Sequence, residues 1–223
     1  LRRSSAASDV YKRQTDYSTI SDITISAGAT TGTASFTPTD DSVYEGNETG
    51  IVAIATVSGG SATEDGTQSV TITITENESS PTITLTSSDS SIAENAGSSL
   101  TLTATSSIVA DEDITVTIST SGTGTEGTDY GTISDITISA GDTTGTASFT
   151  PTDDSVYEGN ETGIVAIDGV SGADAAEDGT QSVTITITEN ESSPTVTLAT
   201  SGTSIAENSG STLTLTATIS QVA

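Results

Sequence analysis

The side chains with chemistry to offer are carboxylates, and they come in groups. Glu94 in "IAEN", Asp129 in "TDY", Asp153, Asp154, Glu158 and Glu161 in "TDDSVYEGNE", and Glu189 and Glu191 in "TENE" are separated by long stretches of Thr-rich, strand-like sequence. Calcium takes about six to eight oxygen ligands, drawn from carboxylates, carbonyls and water on flexible loops. Acids gathered in turns suit that hard cation. The spacing is not that of an EF-hand loop, which needs D-x-[DN]-x-[DN]-G between helices. Other chemistry is poorly served. The chain has no Cys and no His, and its four basic residues, Arg2, Arg3, Lys12 and Arg13, all precede Thr15. A carboxylate pair of the glycosidase kind is what remains for catalysis, and near-identical repetition of the acids speaks against it. No catalytic residue and no enzymatic activity are expected.

Charge narrows the partners further. The formal net charge is −27, and residues 15–223 hold thirty of the thirty-one Asp and Glu and none of the bases, so that stretch carries about −30. Nucleic acid is excluded as a partner, because phosphates must be neutralised by Lys and Arg. No apolar run approaches the roughly 18 residues of a spanning helix. So many carboxylates in a compact state repel one another unless salt or bound cations offset them.

The acids recur because the whole sequence does. Residues 15–110 return as 128–223 at an offset of 113 residues without a gap, with roughly 80 of 96 positions identical. A period of this length suits a whole domain rather than a solenoid turn. The first copy supplies Asp16, Asp40, Asp41, Glu45, Glu48, Glu76 and Glu78, and Glu207 opens a third set. Pro81 and Pro194 each follow the acidic, Ser-rich joint "TENESSP". On that phase 15–80 is the rear of one repeat, 81–193 a complete repeat, and 194–223 the first strands of the next.

The elements that must position these acids read as strands. "DITIS", "TASFT", "GIVAI", "SVTITIT", "PTVTLAT", "TLTLTAT" and "DITVTIST" alternate an apolar residue with Thr or Ser, the period of a strand with one face buried. Thr is β-branched and suits the outer face. Gly, Asn, Asp and Ser fill the intervals, as tight turns require. About seven short strands per period predict an all-β fold, a tandem array of immunoglobulin-like antiparallel β-sandwiches. Such a sandwich collects alternate loops at each end, which brings acids distant in sequence together. Tyr130 and Tyr157 are expected to pack rather than ligate. The triplets "NET" and "NES" match the N-glycosylation sequon, a match that arises easily in a Ser/Thr-rich chain.

The run "TDYGTISDITISAGDTTGTASFTPTDDSVYEGNETG", followed by "SVTITITENES", resembles the Calx-β domain, with its D-Y, A-G-[DE]-T turn and D-D-x-x-x-E-x-x-E segment. The preceding "PTITLTSSDSSIAENAGSSLTLTAT" is similar to the opening of the same domain. The resemblance implies a calcium-binding immunoglobulin-like sandwich, known from sodium-calcium exchangers, an integrin subunit and large bacterial surface proteins. It implies ligand roles for Glu94, Asp129, Asp153, Asp154, Glu158 and Glu161, with the main-chain carbonyl of Val156 a further ligand, and the equivalent roles in the first copy. The final cluster departs from the family pattern, which tends to a run of Asp, and reads Glu189-Asn190-Glu191 here.

The expected function is that of a calcium-binding structural module in an extracellular adhesin or stalk, stiffened by Ca2+ at its loop carboxylates. The alternative is a calcium-sensing regulatory domain of a membrane transporter or signalling protein. Expected partners are calcium ions, neighbouring repeats, and cell-surface or matrix ligands held by other regions. Residues 1–14 have no counterpart in the array, where the aligned positions 114–127 read "ITVTISTSGTGTEG". "DVYKRQ" resembles a translated sequencing adapter, and 1–14 is read as a non-native segment.

Overall fold

The computed structural model describes residues 16–222, so the segment 1–14 lies outside the described residues. In chain order the strands are β1 (Val43–Tyr44), β2 (Glu48–Ala53), β3 (Ser69–Ile74), β4 (Thr82–Ser87), β5 (Ser91–Ala93), β6 (Leu100–Ser106), β7 (Val109–Ala110) and β8 (Ile114–Gly122). There follow β9 (Ile136–Ile138), β10 (Thr144–Phe149), β11 (Glu161–Ser171), β12 (Ala176–Glu177), β13 (Ser182–Thr188), β14 (Val196–Thr200) and β15 (Leu215–Ile219). No helix occurs among the described residues.

Two sheets are built wholly from residues 82–188. One runs β10-β6-β4-β12 and the other β5-β13-β11-β8-β9. The alternation read from the sequence dictates which faces meet. In β10 Gly145, Ala147 and Phe149 point inward while the intervening Thr and Ser stay in water, and β13 turns Ile185 and Ile187 inward in the same way. Ile83, Leu85, Leu102 and Phe149 from the first sheet join Ile114, Val116, Ile136, Val165 and Ile185 from the second in one buried cluster. Each such aliphatic side chain contributes about 1.5–3 kcal/mol by leaving water. The result is an immunoglobulin-like β-sandwich.

The pairing refines the antiparallel expectation at the edges. The interior ladders are antiparallel, but β12 pairs with β4 and β5 with β13 in parallel. These edge strands are two and three residues long, and ten strands rather than about seven make up the period. Local alternation carries no information about such short, long-range pairings. A bulge between Ile167 and Gly169 shifts the register of β11 against β8.

The other copies are built from the same ladders. Glu48 pairs with Ile74 in β2–β3 as Glu161 pairs with Ile187 in β11–β13. Val196 pairs with Ile219 in β14–β15 as Ile83 pairs with Ser106 in β4–β6. In the first copy, however, the predicted strands "DITIS" and "TASFT" carry no ladder, although the same residues form β9 and β10 one period later. β9 and β10 need β8 and β6 as partners, and the first copy has no equivalent of either among the described residues. Strand state here is decided by the partner rather than by propensity.

Behind the D-Y motif sits an aromatic pair. Tyr130 and Phe149 stack with ring centroids 4.7 Å apart and planes at 24°, and both are buried to within 1% of full. Gly163 of β11 closes over them: a Cβ there would lie 2.6 Å from Phe149 Cε2. Only glycine permits this approach. The stack therefore fixes the backbone that presents Asp129.

Candidate metal centre

Register brings the acids to one end of the sandwich. Glu94 follows β5, whose Ala93 pairs with Thr188. Glu189 and Glu191 follow β13, and Glu161 opens β11 opposite Ile187. The main-chain N–H of Glu94 donates to Thr188 O at 3.0 Å, and that of Thr152 to Asp129 O at 2.9 Å. Segments 60 residues and more apart in sequence thus share one loop cluster.

Within that cluster the carboxylates form a continuous line. Glu189, Glu191 and Glu94 each offer an oxygen within 4.8 Å of the other two, as do Glu94, Asp154 and Glu158, and again Asp129, Glu158 and Glu161. Glu94 and Glu158 each belong to two groups and link all three. Two oxygens bound to one calcium at about 2.4 Å can be no more than about 4.8 Å apart. In the first copy Asp16, Glu45 and Glu48 form the equivalent of the Asp129 group. A cavity of about 30 Å³ there is lined by Asp41, Glu45, Glu48, Glu76 and Glu78 among others, room enough for one water or ion.

Other predicted residues hold the loops. Asp154 Oδ1 accepts the Val156 N–H at 2.7 Å, and Asp154 N–H in turn donates to Glu94 Oε1 at 3.2 Å. Asp41 accepts the Val43 N–H at 2.8 Å in the same way. Asp153 and Asp40 fall outside the groups of three. Each accepts from the side chain of an asparagine, Asn190 at 3.3 Å and Asn77 at 3.0 Å. Glu189 Oε2 accepts the N–H groups of Glu158 and Gly159 at 2.7 and 2.8 Å, and its Oε1 those of Asn190 and Glu191 at 2.9 Å each. Glu76 repeats this with Glu45, Gly46, Asn77 and Glu78.

The asparagines hold contacts that the sequence does not show. Asn160 Oδ1 accepts the Glu189 N–H at 3.0 Å, and Asn47 does the same for Glu76 at 2.9 Å. The Asn190 amide lies between Asp153 on one side and Glu191 and Glu94 on the other, and with its nitrogen turned toward the two glutamates it donates to Glu191 Oε2 at 3.0 Å and Glu94 Oε2 at 3.3 Å. Their recurrence in "NET" and "NES", read as sequons, was the available signal.

The titration of these groups registers the crowding. Partial desolvation, then the charges of Asp129 and Glu158, push Glu161 up to about 7. Burial raises Glu94, and the charges of Glu189, Asp154 and Asp153 add to it against the Asp154 N–H. Desolvation and the charges of Asp129, Asp154 and Glu189 raise Glu158. Glu191 rises to about 7 because its protonated form hydrogen-bonds Glu189, while main-chain N–H donation, led by Glu191, holds Glu189 at about 2. Residues 15–223 have no basic side chain to neutralise the set. The donors are oxygens alone, which fits calcium or magnesium and not a soft metal.

An immunoglobulin-like sandwich whose loops gather acidic oxygens at one end defines the class. The family model of the Calx-beta domain matches residues 11–78 and 76–191, and the chain belongs to that family, whose members are calcium-binding modules. Twelve solved chains match. One, the crystal structure of the apo-form Calx CBD1 domain, is 17% identical with a TM-score of 0.41, covering 50% of this chain and 99% of that chain. No curated protein matches.

Proposed function

We propose that this chain is a calcium-binding structural module in which Ca2+ at the loop carboxylates stiffens a tandem array, as in the stalk of an extracellular adhesin. Residues 81–193 are its complete repeat, flanked by the rear of one repeat and the front of another. The observation that carries the reading is the line of carboxylates linked through Glu94 and Glu158, with no basic side chain among the described residues to balance it. Glu94, Asp129, Asp154, Glu158, Glu161, Glu189 and Glu191 would hold the cations, with Asp153, Asn190 and Val156 beside them. Asp16, Glu45 and Glu48 would hold one in the first copy, beside Asp40, Asp41, Glu76 and Glu78. Bound calcium supplies positive charge that converts mutual repulsion into a cross-link between the loops after β5, β10 and β13.

Calorimetric titration of the full chain with calcium tests it. Heat of binding is expected in the wild type, and Glu158→Gln, which removes the residue common to two groups, is expected to weaken binding at least about tenfold, since a lost charged ligand costs a charge-assisted contact. Binding that ignores this substitution would overturn the assignment.

A further inference from the structure

Just beyond Asp41, a short strand of the first copy pairs with the second copy. β1 pairs in parallel with β7, Val43 opposite Val109 and Tyr44 opposite Ala110, and the Asp111 N–H donates to Tyr44 O at 3.1 Å. The Tyr44 ring is 7% exposed and belongs to the same buried cluster as Ala110 and Ala173. Its hydroxyl donates to Asp174 Oδ2 at 2.9 Å and lies 3.3 Å from Ser80 Oγ, which donates to it. A buried phenol with both its donor and acceptor satisfied is an anchor rather than a surface residue.

One main-chain contact of the arrangement recurs. One period later the Tyr157 N–H donates to Val222 O at 3.1 Å, and Tyr157 and Val222 are the counterparts of Tyr44 and Val109. The receiving loop is also where the copies diverge. Between 15–80 and 128–193 seven positions differ, and five of them fall at Asp168, Gly169, Ala173, Asp174 and Ala176. The backbone there is held constant: Ala173 and Asp174 have φ of 51° and 49°, and Gly60 and Ser61 of the first copy have 60° and 55°. Left-handed conformations are disfavoured for Ala, so the loop keeps its shape while changing the side chain it offers.

We propose that the tyrosine of the "DDSVYEG" segment is the plug of a head-to-tail joint whose socket, formed by Ala110, Ala173 and Asp174, belongs to the following repeat of the same chain. The side chain at the position of Asp174 tunes each joint. The loop that carries the candidate ligands Asp41 and Glu45 is therefore gripped from its far side by the next repeat. The joint consists of packing and hydrogen bonds alone and does not depend on the calcium reading.

Hydrogen exchange of the full chain tests it, with the Asp111 amide reporting joint opening and the Val165 amide reporting the sandwich core. Tyr44→Phe keeps the ring and removes the hydroxyl. Asp174→Gly removes the acceptor and suits the positive φ. Each is expected to speed exchange at Asp111 about tenfold, the worth of one charge-assisted hydrogen bond. The double variant is expected to go no further, because both delete the same interaction. Asp174→Ser, the residue of the first copy, is expected to restore part of the protection, and Val165 is expected to stay unchanged throughout. Unchanged exchange at Asp111, additive effects in the double variant, or acceleration at Val165 in step with Asp111 would each overturn the joint.

Discussion

Replacing Gly163 by Ala would place a methyl group 2.6 Å from Phe149 Cε2 and 2.8 Å from its Cζ. Phe149 cannot retreat, being fully buried and stacked on Tyr130 at 4.7 Å. Overpacking of this kind costs about 1–3 kcal/mol. The loss of unfolded-chain freedom on going from Gly to Ala returns about 0.4–1 kcal/mol. A net destabilisation of about 1–2 kcal/mol follows. The first copy supplies the control, since a Cβ at Gly50 would lie 3.2 Å from Phe36 Cε2, a gap that a small ring shift can open. Gly50→Ala is therefore expected to change stability by less than about 1 kcal/mol. Urea unfolding followed by circular dichroism reads both, the chain having no Trp, through a shift of midpoint at constant slope. Equal midpoints for the two variants, or a more stable Gly163→Ala, would refute the claim that this glycine exists to seat the aromatic pair.

Two further outcomes follow from the crowded carboxylates. With chelator present, the protonated forms of Glu161 and Glu191 contribute stability that is complete below their ordinary value of 4.5 and lost as pH rises through about 7. Glu189, held at about 2, acts in the opposite sense, its contribution being lost as pH falls toward 2. Urea midpoints should thus fall between about pH 5 and 8 in chelator, and saturating calcium should flatten the slope. Asn190→Asp replaces an amide that can donate to Glu191 and Glu94 with a further negative charge beside them. It is expected to lower the melting temperature in chelator and tighten calcium binding in calorimetry.

What the sequence made legible was what local pattern encodes. The Thr alternation of "SVTITIT" gave β13 and its buried Ile185 and Ile187, and the spacing in "TDDSVYEGNE" gave Glu158 and Glu161 as near neighbours. Pairings made across the fold were not legible: β5 on β13, β12 on β4, and β1 on β7. "TASFT" is identical at 33–37 and 146–150 yet forms β10 in the second place alone, because β6 is there to pair with it. Asn190 reads in the sequence only as a weakened motif, an uncharged residue between two glutamates, and its contacts are not legible there. Its amide contacts depend on where Asp153 sits.

Thermal unfolding of the full chain in calcium, in magnesium and in chelator tests the central claim most directly. A cation that binds the folded state alone adds about 2.7 kcal/mol per site at a hundredfold excess over its dissociation constant, several degrees in melting temperature for a domain of this size. Calcium should therefore raise the transition clearly. Magnesium, which demands tighter octahedral geometry, should raise it less, and Asp154→Asn combined with Glu158→Gln should abolish most of the calcium shift. A melting temperature indifferent to calcium, or a shift that survives undiminished in the double variant, would contradict the assignment of these carboxylates to a cation.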